Sequence, residues 1–312
     1  MHRRANLFLA AAPRSGSTQL VSWIGQHPDV GVPAIKEPNH FSAQDFDPGY
    51  VAATHLNDVD PAEYAARGRT TSHQFAVFRD AADYDYLYTS LGQRWLVDAS
   101  TSYLASPGAP ARIEAEVVGP RRAVVVLREP VGRAISHHGL ALRTGRSRGT
   151  LADELAREQA GLVPSEARYL LTPSRYADAL ERWWSVIGRD DVRVLTFERL
   201  VAEPAVVLAE LFDWLGLEPV DVELHRPEAR NQSVRPRFGR LNEVMLRSGT
   251  KTALRRVVPV GLKRRLKRVY FAPRPEPIAT PAERDLLDEL LRDDREATMQ
   301  LVPEARQWWT PS

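Results

Sequence analysis

An α/β domain, a central parallel sheet flanked by helices, is the fold class this sequence predicts, and three observations predict it. Short runs rich in Val, Leu and Ala alternate with segments of helical period, the pattern of strands joined by crossover helices. The first run passes directly into the turn Pro13-Arg14-Ser15-Gly16-Ser17-Thr18 and then a helical pattern at Leu20, Val21 and Ile24. A later run, residues 123–127, passes in the same way into Arg128-Glu129-Pro130 and a second helical segment.

Taken in order, strands are expected at residues 6–12, 95–98, 123–127 and 192–196, with a weaker one at 30–32. Each is short and largely apolar, as for strands covered on both faces. Thr172-Pro173 reads as the cap and first turn of a helix carrying Tyr176, Leu180, Trp183 and Trp184. Pro204 opens another, with Val207, Leu208, Leu211, Phe212 and Leu215 on one face and Gly216 as its stop. Thr280 and Glu283 have capping-box spacing ahead of Leu286, Leu287, Leu290 and Leu291. Residues 38–92 have no clean period and many aromatics, from Phe41 to Tyr88; they read as an insertion covering a site. No internal repeat or low-complexity linker divides the chain. Residues 1–312 therefore read as one domain, with this insertion and a basic helical extension over about 240–312.

Composition excludes several classes. A chain of 312 residues, 43% hydrophobic, can bury a sizeable core and is too apolar for disorder. Its apolar runs are too short to span a bilayer. The lack of cysteine excludes disulfides, thiolate-bound zinc, iron–sulfur clusters and thiol nucleophiles. With 42 basic against 40 acidic residues, the net charge of +2 gives no bulk attraction to nucleic acid. Met1-His2-Arg3-Arg4 and the apolar run after it mimic a signal peptide, but the run is short and leads straight into the turn. It reads as a buried strand, and a cytoplasmic chain is expected.

A glycine- and hydroxyl-rich turn at a helix N-terminus directs several backbone N–H groups at one spot, which suits a phosphate. The nucleoside-triphosphate form of this loop needs a lysine directly after the last glycine. Here Ser17 follows Gly16, and the cation is Arg14, ahead of the glycine. That disfavours a kinase-like enzyme hydrolysing or transferring from ATP. On the turn alone, a plain strand–turn–helix corner is the competing reading. The second segment places Arg128 at a strand's carboxyl end, where open α/β sheets bind ligands. Ser136 follows about two turns into the next helix, within reach of the same anion. Pairing of Arg128 with Glu129 is the plainer alternative for that arginine.

These segments together resemble the sulfotransferases that use 3′-phosphoadenosine 5′-phosphosulfate (PAPS). Residues 13–18 look like that family's 5′-phosphosulfate loop. Residues 127–138 look like its 3′-phosphate motif, in which the arginine and the serine eight positions on, here Arg128 and Ser136, bind the 3′-phosphate. Lys36-Glu37-Pro38-Asn39-His40-Phe41 is similar to a segment of the heparan-sulfate-type branch and its bacterial relatives, as are Arg175-Tyr176 through Trp183 and Phe197-Glu198-Arg199-Leu200. The chain departs from the pattern at Ala11, often glycine, and at Ala99, where glycan-modifying members carry a lysine. A late glycine-bearing loop is matched loosely by residues 230–237, with Arg235 and Arg237 as nucleotide ligands.

The resemblance implies a P-loop-type, nucleotide-kinase-like fold with PAPS as co-substrate and adenosine 3′,5′-bisphosphate as product, without a metal. It implies that Arg14, Ser15, Gly16, Ser17 and Thr18 hold the 5′-phosphosulfate. Glu37 is the expected general base, Lys36 a contact to the sulfonate oxygens, and His40 the rival base. Pairing of Glu37 with Lys36 as a plain surface ion pair is the alternative, and His137 and His138 are expected to pack or cap. The aromatic insertion points to a mostly apolar acceptor cleft for a small molecule, lipid or glycan. The basic stretch 247–268, with apolar residues interleaved, reads as a solvated helix face or as a peripheral membrane contact. A non-catalytic nucleotide- or membrane-binding protein on the same fold is the rival from another class.

Overall fold

The computed structural model describes residues 4–54, 57–224, 234–236, 271–273 and 278–309. Seven strands precede residue 200: β1 (Leu7–Ala11), β2 (Val30–Gly31), β3 (Ile35–Glu37), β4 (His73–Phe75), β5 (Trp95–Asp98), β6 (Arg122–Leu127) and β7 (Val192–Thr196). Five form one sheet in the order β2-β5-β1-β6-β7, every neighbour parallel. The register sets Ala11 beside Val126 and Leu127 beside Thr196. From β1 the chain goes to β2 on one side; after β5 it crosses to β6 on the other. The carboxyl ends of β1 and β6 therefore flank the point where strand order reverses, the crevice in which such sheets bind ligands.

Side-chain alternation divides the core into two layers. Phe8, Ala10, Val125 and Leu127 face one way and pack with Tyr103, Leu180 and Trp183. Leu7, Leu9, Ala11, Val124 and Val126 face the other and meet Leu20, Ile24, Leu208, Leu211 and Leu215. The helix Pro204–Leu215 ends at Gly216, which is left-handed at φ 65°. The helix Pro281–Leu301 lies against the helices Pro130–Thr144 and Ala177–Ile187. Its capping box is formed: Glu283 N–H donates to Thr280 Oγ1 at 3.2 Å, and Thr280 N–H donates to Glu283 Oε2 at 2.8 Å. Among the described residues no helix is long and apolar enough to cross a membrane.

Three expectations need correction. The first strand runs Leu7–Ala11 rather than over residues 6–12, with Asn6 flanking it: its N–H donates to Leu96 O at 3.0 Å and its side-chain amide takes Leu96 N–H at 2.7 Å. Thr172-Pro173 forms only a short 3₁₀ turn, Thr172–Ser174, and the α-helix begins at Ala177. Its first N–H groups are met from afar, by the Asp294 carboxylate, at 2.7 Å from Tyr176 N and 3.3 Å from Ala177 N. The aromatics of residues 38–92 are largely core: Phe41, Tyr64, Phe78, Tyr84 and Tyr88 are buried in the first layer. The segment folds as short helices Pro48–Ala53, Pro61–Ala66 and Ala81–Tyr86 and the strand β4, which pairs in parallel with β3 just before it.

Thr280→Ala removes one side of the capping box. It should lower the unfolding free energy by about 1 kcal/mol. Urea titration should show a lower midpoint at unchanged slope.

Candidate active site

The turn after β1 is tight. Ser15 N–H donates to Ala12 O at 3.1 Å, and Arg14 (φ 77°) and Gly16 (φ 82°) both take the left-handed region. For Arg14 that costs about 1–2 kcal/mol. At Gly16 a Cβ would stand 3.0 Å from Phe197 Cδ2, so glycine is needed for space as well as for φ. Gly16 then caps the helix Ser17–Ile24, whose first N–H groups open on the turn. Ser15 Oγ is buried with no partner among the described residues, and Thr18 is exposed on the first helical turn.

The structure brings the two anion motifs together. Arg14 Nε donates to Ser136 Oγ at 3.3 Å, and Arg128 Nη1 donates to the Arg14 carbonyl at 3.0 Å. The Arg128 guanidinium lies 4.6 Å from the centre of the Phe197 ring. Glu129 does not pair with it: its carboxylate caps the next helix, taking Val131 N–H at 3.0 Å and Gly132 N–H. Burial lowers the pKa of Arg14, and the nearby guanidinium groups of Arg143, Arg128 and Arg146 lower it further. Burial also lowers Arg128, against the opposing pull of Glu198, Tyr176 and Glu129. Among the described residues no carboxylate forms an ion pair with Arg14, Arg128, Arg143 or Arg146.

Lys36 and Glu37 stand next to this corner. Lys36 Nζ donates to Ser17 Oγ at 3.2 Å, to Glu37 Oε1 at 2.9 Å and to Ala99 O at 3.4 Å, joining the phosphate loop to the carboxylate. Glu37 is 8% exposed and lines the cleft, so it is not a surface ion pair. Gln74 Nε2 also donates to Oε1, and Thr101 Oγ1 donates to Oε2, both at 2.7 Å. Oε2 keeps a lone pair for one further proton donor. Thr101 is held by its neighbour: Ser100 Oγ and N donate to the buried Asp98, which also takes the hydroxyls of Tyr84 and Tyr103. Burial raises the Asp98 pKa, and its three hydroxyl donors oppose that.

His40 does not join this group. Its Nδ1 meets Phe78 O at 3.0 Å, and its ring stacks on Tyr84 at 4.3 Å within the core. His138 is buried against the Tyr169 hydroxyl, at 3.1 Å. His137 packs against the Tyr169 ring at 5.2 Å and meets Arg133 Nη1 through Nδ1 at 3.1 Å, while also lining the cleft. Val234–Pro236 pairs with Phe271–Pro273 and lies against the helix Pro130–Thr144. The Arg235 side chain, Arg237 and the stretch 247–268 are outside the described residues. The loop, the Arg128 corner and Glu37 open on one cleft of about 2200 Å³, whose walls include Phe46, Tyr50 and Phe75. Gln74, Thr101 and Arg146 are the site-lining residues that sequence reasoning missed. The first lies in an aperiodic segment, and none carries a motif.

Burial holds the His137 pKa well below its ordinary value, and the cations Arg133, Arg146 and Arg14 act in the same direction. The folded chain thus resists protonation that the unfolded chain accepts below about pH 6.5. Stability should be insensitive to this group above that pH and fall on acidification below it, until the folded pKa is reached. In His137→Gln that part of the acid slope should vanish in urea titrations run from pH 7.5 to 5.

The model of the Sulfotransferase family matches residues 6–221 of the chain. Human heparan sulfate glucosamine 3-O-sulfotransferase 3B1 is 25% identical over 213 residues, 68% of this chain and 46% of that protein. Human heparan sulfate glucosamine 3-O-sulfotransferase 6 is 29% identical over 144 residues, 44% of this chain and 41% of that one. The chain thus spans about half the length of the curated relatives it matches. The crystal structure of a sulfotransferase from Alicyclobacillus acidocaldarius superimposes with a TM-score of 0.59 at 24% identity, covering 73% of this chain and 88% of that one, a likeness of fold. With a phosphate-type loop, a second arginine–serine motif and a family match across most of the sheet, the chain belongs to the sulfotransferase family.

Proposed function

We propose that the chain transfers the sulfuryl group of PAPS to a hydroxyl or amine of a small-molecule, lipid or carbohydrate acceptor, leaving adenosine 3′,5′-bisphosphate. The observation that carries this reading is the Lys36 bridge: one ammonium touches both the phosphate-loop hydroxyl of Ser17 and the carboxylate of Glu37. A nucleotide-binding corner and a candidate base are thereby fixed within one side chain's reach. The donor set fits a nucleotide with two anionic ends. The orphaned Ser15 hydroxyl and the loop N–H groups serve one end, and Arg128 with Ser136 serves the other.

Sulfuryl transfer places negative charge on the departing bridging oxygen, so catalysis is mainly positioning and electrostatic stabilisation, as in phosphoryl transfer. Arg14 and the N–H groups of the turn hold the 5′-phosphate and meet that charge, with the hydroxyls of Ser17 and Thr18 as further donors. Lys36 neutralises the sulfonate oxygens. Glu37 takes the acceptor's proton through the lone pair on Oε2, while Gln74 and Thr101 keep its carboxylate in orientation. No other carboxylate or imidazole among the candidates shares that position, since His40 is turned into the core.

Two measurements test the assignment. Arg128→Ala should weaken adenosine 3′,5′-bisphosphate by about tenfold or more and leave adenosine 5′-phosphate nearly unchanged in calorimetry; equal losses for both would overturn it. Glu37→Gln should lower turnover by about 10²–10⁴-fold. Affinity for the bisphosphate should change by less than about threefold, and the loss should be smaller for an acidic phenol than for an alkyl alcohol. Near-normal turnover of an alcohol would remove Glu37 as the base.

A further inference from the structure

The helix Pro130–Thr144 ends at Gly145 in the left-handed region (φ 77°), and Arg146 N–H turns back to Ala141 O at 2.9 Å. The reversal sets Arg146 on the wall of the cleft, beyond the Arg14–Arg128–Ser136 corner. Tyr50 of the insertion and Tyr169 line the same cleft as its guanidinium. His137, one position past Ser136, shares this wall.

The hydrogen bonds settle the form of His137. Arg133 is fully buried, and all three of its nitrogens are donating: Nε to Ser174 Oγ at 2.7 Å, Nη2 to Tyr169 O at 2.5 Å and Leu170 O at 2.9 Å, and Nη1 to His137 Nδ1 at 3.1 Å. A guanidinium has no acceptor, so Nδ1 must be the unprotonated nitrogen and Nε2 must carry the hydrogen. That N–H has no hydrogen-bond partner among the described residues. The carboxylates on this stretch are engaged elsewhere: Asp153 in the cap at Thr150, Glu154 with Ser147 and Arg157, and Glu158 with the N–H groups of residues 169–171.

We propose that the Arg146 guanidinium and the His137 Nε2–H form a second anion subsite, which takes an oxyanion group (carboxylate, sulfate or phosphate ester) of the acceptor. This rests on the sulfuryl-transfer reading. The two anionic ends of the nucleotide already have donor sets in the loop and at Arg128–Ser136. The subsite shares its cleft with Glu37 and with Phe46, Tyr50 and Phe75, which provide a place for the acceptor's body.

Inorganic sulfate is the probe, titrated calorimetrically into the full chain at ionic strength held constant with chloride. One arm uses chain saturated with adenosine 3′,5′-bisphosphate, the other nucleotide-free chain. Sulfate should bind the saturated chain, and Arg146→Gln should weaken it by about tenfold or more. His137→Phe should weaken it, and His137→Gln, whose amide N–H falls near the Nε2 position, should recover most of the loss. Binding only in the nucleotide-free arm would assign these donors to the nucleotide and overturn the proposal. Equal binding by the unmodified chain and Arg146→Gln would mean an adventitious ion only. If the bisphosphate itself fails to bind, the PAPS reading falls, while the Arg146→Gln comparison in the nucleotide-free arm still decides the subsite. Arg146→Lys, which keeps the charge, guards against a variant that misfolds.

Discussion

Unneutralised positive charge at the carboxyl ends of β1 and β6 is the constraint around which the molecule is built. Arg128, Arg143 and Arg146 all repel Arg14 in a partly desolvated corner, and like charges in such surroundings push their elements apart. The backbone carrying them must therefore be pinned by other means. The Arg128 guanidinium is pinned by the Arg14 carbonyl and the Phe197 ring. Buried Arg133 ties the helix Pro130–Thr144 to residues 169–174, and Glu158 gathers the N–H groups of the same segment. These ties use neutral acceptors at Arg128 and fix its geometry without cancelling the charge that an anionic ligand would meet.

The other side of the cleft uses a complementary device. Glu37 belongs to the short pair β3–β4, outside the main sheet, and such a pair has little rigidity of its own. Its position comes instead from polar contacts with three parts of the fold: Lys36 to the phosphate-loop helix, Gln74 from β4, and Thr101 from the segment after β5. Asp98 anchors that segment through buried hydroxyls. A carboxylate fixed by a network in low dielectric holds its orientation more firmly than a solvated one.

Much of this was legible in the residues. The strand cores, the turn 13–18 and the Arg128–Ser136 spacing stand in the sequence because each is a local pattern with a local cause. The capping box at Thr280 reads correctly for the same reason. What could not be read depends on contacts between distant segments. Nothing near Ala177 announces that Asp294 supplies the cap, so the local pattern at Thr172-Pro173 sets the start of that helix too early. Among the aromatics of residues 38–92, composition cannot distinguish a lid from a core plug; Tyr84 and Phe41 are plugs, Phe46 and Tyr50 are walls. Gln74 and Arg146 are ordinary polar residues until the fold sets them beside Glu37 and His137.

The cap that Asp294 provides has a bearing on how the chain is made. A ribosome releases the Ala177–Ile187 segment long before the carboxylate that finishes its first turn, 118 positions from Tyr176. Trp309 Nε1–H, which donates to Glu198 at 3.0 Å, emerges later still. The nascent chain can assemble the sheet early, but its second half waits on the final helices, as expected where distant pairings close a fold. Folding of the second half is in this sense gated by the synthesis of residues 281–309, which lock what precedes them.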